Sequence, residues 1–219
     1  FKELSKEIKK KFNFQKKDLV LDIGSNDGNL LSNFKNDYRV LGITPEKIGK
    51  LAIKRGIPTI IDYFNSKSTK KIIKKYGKAS IITSTNVFAH IDNINFIIKD
   101  IKKCLKKNGI FISESHYLVP LLQQLQYDTI YHEHLRYYSL TSLDFLFKRH
   151  NLQIVFAKKI PTHGGSIRVY CARKGAYRVD KFAINKILNF EKKIINKKTF
   201  INFRKKTFQN KYDLLNLLS

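Results

Sequence analysis

Short apolar segments alternate with amphipathic ones, and this alternation limits the fold more than any other feature of the sequence. The apolar segments have the length of buried strands and lie at 18–23, 38–43, 57–61, 79–83 and 110–113. Helical spacing of apolar residues marks 2–12, 46–55, 66–76 and 91–105. Strands and helices in this order predict βαβ units with helices on both faces of a parallel sheet. We therefore predict an α/β fold with a doubly wound, mostly parallel sheet.

The second half of the chain follows a different pattern. Residues 123–138 are polar and aromatic, and the residues after them predict one helix and two closing strands, at 140–149, 152–157 and 166–171. From Lys181 onward, apolar residues keep a rough helical period among many lysines, which predicts one long helix.

Two units are expected on this basis. The first is a domain over 1–175. The second, over 176–219, is a lysine-rich helical extension that would begin a truncated C-terminal domain.

The charge balance of 43 Lys+Arg against 17 Asp+Glu, a net charge of +26, suggests a polyanionic partner such as nucleic acid. The excess consists of 35 lysines and only 8 arginines, whereas base recognition prefers the bidentate geometry of arginine. AT-rich codons would supply the same lysines, and the charge alone therefore does not identify a nucleic-acid-binding protein.

Several simple features bear on location and completeness. No apolar run is long enough to span a bilayer, and no secretory leader is evident. The two cysteines, Cys104 and Cys171, are too few for a disulfide framework and lack zinc-site spacing, so a cytoplasmic location is expected. The chain begins with Phe1 and contains no methionine, which suggests a fragment of a longer protein.

The first predicted strand ends in a glycine-containing loop that runs from Asp22 through Gly24 to Gly28. This loop has neither the third glycine of the dinucleotide motif nor the Lys-Ser/Thr pair of a phosphate loop. An acidic side chain at the carboxyl end of a strand suits a cationic or hydroxyl-bearing ligand, which favours S-adenosylmethionine. The alternative is an ordinary strand-to-helix turn. In either case Leu30, Leu31 and Phe34 have helical spacing and predict a helix directly after the loop.

Residues 20–28 (VLDIGSNDG) resemble motif I of class I S-adenosylmethionine-dependent methyltransferases, which have a Rossmann-like fold. Three later segments resemble the sugar C-methyltransferases that act on nucleotide-activated 4-keto deoxysugars: 86–90 (NVFAH), 128–134 (DTIYHEH) and 161–169 (PTHGGSIRV). The resemblance extends in order from about residue 18 to residue 173. Members of that family usually carry an N-terminal zinc-binding segment and a further C-terminal domain, which fits a fragment.

The resemblance implies a reaction in which a base removes a proton beside a ketone and another group stabilises the enolate oxygen. By similarity, His134 is the general base and Glu133 is its orienting or acid/base partner. His90 and Tyr131 would contact the sugar or stabilise the enolate. His116 and His163 are expected to contact the substrate, although His116 could equally be an ordinary loop histidine. No metal is expected to take part.

The same resemblance implies a set of cofactor contacts. Motif I supplies most of them, and the others follow the second, third and fourth strands: Asp22, Gly24, Ser25, Asn26, Asp27, Gly28, Thr44, Asp62 and Asn86. Thr44 departs from the family pattern, because an acidic residue normally follows the second strand and binds the ribose hydroxyls. Losing that charge-assisted bond would cost about 1 to 3 kcal/mol of binding unless Glu46 replaces it.

Three functions are therefore open. The leading hypothesis is C-methylation of a nucleotide-linked keto sugar, with this small molecule and S-adenosylmethionine as the partners. A nucleic-acid methyltransferase is the second, favoured by the charge but lacking a base-methylating motif. A non-catalytic methyltransferase-like scaffold is the third.

Overall fold

A computed structural model describes the whole chain, residues 1–219, and contains one seven-stranded sheet. The strands are β1 (Leu19–Ile23), β2 (Arg39–Thr44), β3 (Thr59–Ile61), β4 (Ala79–Thr85), β5 (Leu105–His116), β6 (Leu152–Ile160) and β7 (Ser166–Arg173). Their order across the sheet is β3-β2-β1-β4-β5-β7-β6. The pairings among β1 to β5 are parallel, and β7 runs antiparallel to both of its neighbours. The predicted α/β, doubly wound, mostly parallel sheet is confirmed.

Eight α-helices accompany the sheet. They are α1 (Lys2–Lys11), α2 (Gly49–Lys54), α3 (Ser66–Tyr76), α4 (Ile94–Cys104), α5 (Leu118–Gln123), α6 (Leu140–Lys148), α7 (Lys181–Ile194) and α8 (Lys197–Leu218). None of them is both long enough and apolar enough to cross a membrane.

Each face of the sheet carries its own hydrophobic core, because successive strand residues point to opposite sides. Leu21, Ile82 and Phe111 belong to the larger core, which α3, α4, α6 and α7 cover. Their sequence neighbours Val20, Ile81 and Ile110 belong to the smaller core, which α1 and α2 cover. Burial on both faces explains why these strands are continuous apolar runs rather than alternating ones.

The prediction of a helix directly after the glycine loop is wrong. Only a single 3-10 turn, Leu31–Asn33, forms there. Ser32 Oγ donates to the Asn29 carbonyl at 2.7 Å, and Asn33 Nδ2 donates to the same carbonyl at 2.9 Å. Short polar side chains that bond nearby backbone carbonyls compete with the regular helical ladder, and this competition keeps the segment short.

The prediction of a single long helix from Lys181 is also wrong, because two helices, α7 and α8, form there. Ile195 has non-helical backbone angles. The side chain of Asn196 accepts a hydrogen bond from the Thr199 amide at 3.0 Å and thereby starts a new helix.

Helix α7 is attached to the sheet domain. The carboxylate of Glu191 on α7 accepts hydrogen bonds from the amides of Leu140 and Thr141, and it therefore caps the first turn of α6. Helix α8, in contrast, has no buried residue. The expected division after residue 175 stays a prediction, although α7 packs with the domain rather than away from it.

Candidate active site

Two adjoining cavities lie at the edge of the sheet where the parallel strands end. The first cavity, of about 380 Å³, is lined by the glycine loop and by residues that follow β2 and β4. The second cavity, of about 470 Å³, is lined by residues that follow β4, by the end of β5 and by residues of the segment 123–138, called the histidine-rich segment below. Asn86 and His90 line both cavities and mark the place where they meet. Ligands in open α/β sheets bind at this edge.

The glycine loop turns sharply beneath the first cavity. Gly24 has φ +76°, and a Cβ atom there would lie 2.4 Å from Val87 Cγ2, so only glycine fits between β1 and the residues after β4. Asn26 also adopts a positive φ of 47°, a conformation that asparagine tolerates better than most residues. The amides of Gly24 and Ser25 donate to the Ile43 carbonyl, which fixes the loop to β2.

Asp22 is an unusual carboxylate at the base of this cavity. It is 2% exposed, and its only side-chain partner is Thr83, whose hydroxyl donates to it at 2.7 Å. Burial raises the pKa of Asp22 to about 7, while the Thr83 hydrogen bond opposes that effect. A buried carboxyl with one partner is well suited to a cationic ligand, which would favour its ionised form.

Most of the other predicted cofactor residues also line the first cavity: Gly24, Ser25, Asn26, Asp27, Thr44 and Asn86. Glu46, considered as a replacement for the missing ribose acid, lies there as well. The hydroxyl of Ser25 is buried and has no hydrogen-bond partner in the chain.

Three predicted cofactor residues differ from expectation. Gly28 and Asp62 do not line the cavity. Gly28 packs against Ala52, and the Asp62 carboxylate accepts a hydrogen bond from the Tyr63 amide. Asp27 lines the cavity, but Arg55 donates to its carboxylate at 2.7 Å, and this hydrogen bond lowers the pKa of Asp27.

The second cavity contains most of the predicted catalytic and substrate residues: His90, His116, Tyr131, His134 and His163. The ring centroids of His90 and His134 are 5.1 Å apart, and those of Tyr131 and His134 are 4.4 Å apart. His116 lies 6.4 Å from His134 by the same measure. Residues from distant parts of the sequence therefore form one cluster.

Backbone carbonyls determine which ring nitrogens carry a proton in this cluster. His134 Nδ1 lies 2.8 Å from the Thr129 carbonyl, and His90 Nδ1 lies 3.0 Å from the Glu133 carbonyl. A carbonyl can only accept, so Nδ1 is the protonated nitrogen in both rings, and Nε2 is an acceptor when either ring is neutral. The hydroxyl of Tyr131 lies 3.3 Å from His134 Nε2.

Glu133 does not make the contact that was predicted. Its side chain is 59% exposed and lies 4.0 Å from His132, and no hydrogen bond joins its carboxylate to His134. The tight turn from Tyr131 to His134 faces the carboxylate away from the cavity, and the Thr129 carbonyl orients His134 in its place. Glu133 contributes its backbone carbonyl, which holds His90.

The histidine-rich segment is attached to the turn after β4 by several bonds. The Leu135 amide donates to the Ala89 carbonyl at 2.9 Å. The guanidinium of Arg136 donates to the carbonyls of Ile91 and Asp92, the latter at 2.7 Å. These bonds hold His134 close to His90 and complete the boundary between the two cavities.

Sequence reasoning missed several residues of the second cavity, namely Ser115, Asp128 and Thr129. Ser115 is 2% exposed, and its hydroxyl has no hydrogen-bond partner in the chain. Its position beside His116 at the end of β5 was the available signal. Thr129 acts through its carbonyl, which no residue type reveals. No group of three or more His, Cys, Asp or Glu side chains has an arrangement that could hold a metal ion.

Comparisons with known proteins agree with this geometry. A family model described as a methyltransferase domain matches residues 1–156. The chain belongs to the methyltransferase-domain family. The C-methyltransferase NovU of Streptomyces niveus is 36% identical over 177 residues, which cover 80% of this chain and 42% of NovU. The chain thus spans less than half the length of this relative.

Solved structures share the fold at low sequence identity. The PH0226 protein of Pyrococcus horikoshii has a TM-score of 0.62 and 14% identity, over 78% of this chain and 88% of that one. Magnesium protoporphyrin IX methyltransferase of Synechocystis, solved with bound SAH, has a TM-score of 0.59 and 13% identity, over 78% of this chain and 80% of that one. The chain is therefore a methyltransferase domain that has the fold of these solved structures.

The first cavity fits S-adenosylmethionine, the cofactor that the resemblance of the glycine loop implies. The buried Ser25 hydroxyl lacks a protein partner, and the buried Asp22 carboxyl has only Thr83. A ligand with hydroxyl groups and a positive charge satisfies both requirements.

Proposed function

We propose that this methyltransferase transfers a methyl group to a carbon atom beside the ketone of a nucleotide-linked 4-keto deoxysugar. The observation that carries the proposal is the His134 imidazole, whose Nδ1 is bonded to a backbone carbonyl and whose Nε2 is therefore a proton acceptor in the second cavity. The name of NovU supports carbon as the atom that is methylated. The sugar substrate rests on the resemblance of the three later segments.

His134 would act as the general base. Its Nε2 takes the proton from the carbon beside the ketone, and the electron pair of the broken C–H bond passes into the enolate. The Thr129 carbonyl stabilises the imidazolium that forms, because it accepts the hydrogen bond from Nδ1–H in both charge states. Glu133 is not needed to orient the ring.

Tyr131 and His90 would handle the enolate oxygen and the sugar. The Tyr131 hydroxyl is a hydrogen-bond donor beside His134 Nε2, so it can donate to the oxygen as negative charge develops there. His90 borders both cavities and would contact the sugar at the point of transfer. His116 and His163 also line the second cavity and would make further contacts with the sugar.

S-adenosylmethionine supplies the electrophilic methyl group when it is bound. We propose that Asp22, Ser25 and Asn26 hold its amino-acid part and that Thr44 and Glu46 face its ribose. These residues orient the cofactor toward the boundary at Asn86, where the second cavity begins.

The first experiment separates enolisation from methyl transfer. Nucleotide-diphosphate 4-keto-6-deoxyhexoses are incubated with the protein in deuterium oxide, and NMR follows deuterium incorporation beside the ketone. Addition of cofactor with a ¹³C-labelled methyl group then shows whether the methyl becomes bonded to carbon or to oxygen. Methyl transfer to oxygen, or to none of the sugars, would contradict the proposal.

His134→Ala tests the base. Deuterium incorporation should fall by at least about a hundredfold, the scale of general-base catalysis, while cofactor binding stays unchanged. His132→Ala is the matched control, because His132 is 89% exposed in the same segment and does not line the cavity. If His134→Ala retains activity within a few-fold of the wild type, His90 becomes the candidate base.

A further inference from the structure

The glutamine at position 126 lies behind the second cavity and contacts three different groups. Its Nε2 atom lies 2.8 Å from the Gly164 carbonyl and 2.6 Å from Gln124 Oε1, and its Oε1 atom lies 3.0 Å from His116 Nε2. Gln126 does not itself line the cavity, whereas His116 does.

The contacts fix the orientation of the Gln126 amide. The Gly164 carbonyl can only accept a hydrogen bond, so the atom facing it is the NH₂ group. Gln124 Oε1 accepts the second N–H of that group. The oxygen of Gln126 therefore faces His116 and can only accept, which requires a proton on His116 Nε2.

His116 is thus held in the opposite form from its neighbours. His90 and His134 are bonded through Nδ1 and keep Nε2 as the acceptor. His116 is bonded through Nε2, and its Nδ1 has no hydrogen-bond partner in the chain. When neutral, all three rings present an acceptor nitrogen, which suits a ligand that donates hydrogen bonds.

The backbone around Gln126 is held in a conformation that costs energy. Leu125 has φ 56°, at the position after α5 where glycine is usual, and the Gln126 amide donates to the Leu121 carbonyl at 3.0 Å. A non-glycine side chain is strained in this left-handed region. Gly164, on the opposite side, has φ +72°, and a Cβ atom there would lie 2.6 Å from Gln126 Nε2.

We infer that Gln126 is a positioning residue that fixes His116 with Nε2 protonated, so that His116 Nδ1 accepts a hydrogen bond from a hydroxyl group of the methyl acceptor. The inference rests on the proposed function only in naming the methyl acceptor as the molecule in the second cavity. The fixed protonation of His116 depends on contacts within the chain and can be measured without any acceptor.

NMR of the full chain labelled with ¹⁵N-histidine tests the first part. Gln126→Met keeps the length of the side chain but removes the acceptor, and the His116 Nε2–H signal should exchange with water at least about tenfold faster. Gly164→Ala should weaken the signal, because the new Cβ displaces the Gln126 amide.

Gln123→Met serves as the matched control, since Gln123 is an exposed glutamine on α5. The His90 and His134 signals should stay unchanged in every variant. A Gln126→Met protein that keeps the wild-type His116 signal would overturn the inference. So would a Gln123→Met protein that loses the signal as Gln126→Met does, because the loss would then not depend on the contact between Gln126 and His116.

Kinetics test the second part with the nucleotide-diphosphate 4-keto-6-deoxyhexose that the wild type turns over. Gln126→Met should raise the KM for the sugar about tenfold and leave the Kd for S-adenosylmethionine unchanged. An unchanged KM together with a lost His116 signal would refute the contact between His116 and the acceptor. If no sugar is turned over by the wild type, the proposed function fails, and the NMR result still decides the protonation of His116.

Discussion

Asp22→Asn should remove a pH dependence of stability that the buried carboxyl imposes on the wild-type chain. The ordinary pKa of an aspartate is 3.8, and burial raises the pKa of Asp22 to about 7. Between these values the folded state keeps a proton that the unfolded state has released. The contribution of Asp22 to stability is therefore greatest below pH 3.8, and it is lost as the pH rises from 3.8 to 7.

The size of the effect follows from the two pKa values. At about 1.36 kcal/mol per pKa unit, the full difference corresponds to about 4 kcal/mol. Between pH 5 and pH 8, the part of this range that is convenient to measure, the wild type should lose about 2 to 3 kcal/mol through Asp22. Asparagine has nearly the same shape and does not ionise. The free energy of unfolding of Asp22→Asn should therefore increase by this amount relative to that of the wild type as the pH rises from 5 to 8.

Urea unfolding of both proteins at several pH values provides the measurement. His150 has a pKa below its ordinary value of 6.5 because it is partly buried near lysines, and its contribution changes with pH in the opposite direction. The same histidine is present in both proteins, so the difference between them isolates Asp22. A difference in the free energy of unfolding that stays constant from pH 5 to pH 8 would refute the reasoning.

Cofactor binding gives the same prediction a second measurement. The positive charge of S-adenosylmethionine favours an ionised Asp22, so binding should release a proton. At pH 6.5 about three quarters of the carboxyl is protonated when its pKa is about 7, which sets the expected release. Calorimetry in two buffers of different ionisation enthalpy measures it, and Asp22→Asn should release none and bind more weakly.

Three further predictions concern other parts of the molecule. Glu46→Gln should weaken S-adenosylmethionine binding about tenfold in calorimetry, and adding Thr44→Asp to this variant should restore the affinity. An affinity that stays the same in the single and the double variant would mean that neither residue binds the ribose. Arg168→Met should destabilise the fold by about 3 kcal/mol in urea unfolding, because it leaves a buried carboxylate of Glu114 without its partner. Arg136→Lys should slow deuterium incorporation about tenfold at unchanged cofactor affinity, since an ammonium group cannot match two carbonyls as a guanidinium does; Arg149→Lys is the matched control.

The sheet could be predicted because its signal is local. Strands buried on both faces are continuous apolar runs, and β1 and β4 appear as such in the sequence. The failures occurred where polar side chains bond their own backbone. Asn33 shortens the turn after the glycine loop, and Asn196 separates α7 from α8. The spacing of apolar residues carries no information about these hydrogen bonds.

For the candidate site, too, one part could be predicted from the sequence and another could not. The resemblance of short segments to a known family predicts roles for His134, Tyr131 and Asn86, and these residues line the two cavities. It did not show that the Glu133 carboxylate would face away from the cavity, because the direction of a side chain depends on the turn that carries it. Gln126 carries no motif of its own, and only the folded chain shows that it contacts His116.

The histidines of the second cavity are held in two different ways, by backbone carbonyls and by a side chain. His134 and His90 are fixed by backbone carbonyls, so their protonation depends on the path of the chain and not on the side chains of Thr129 and Glu133. His116 is fixed by a side chain, Gln126, which substitution can change directly. With the proposed roles of His134 as the base and His116 as a contact to the acceptor, substitutions behind the second cavity would alter which hydroxyl groups are recognised while the base keeps its orientation. Displacement of the backbone between β4 and the histidine-rich segment would disturb both functions at once, because that backbone forms the boundary between the two cavities.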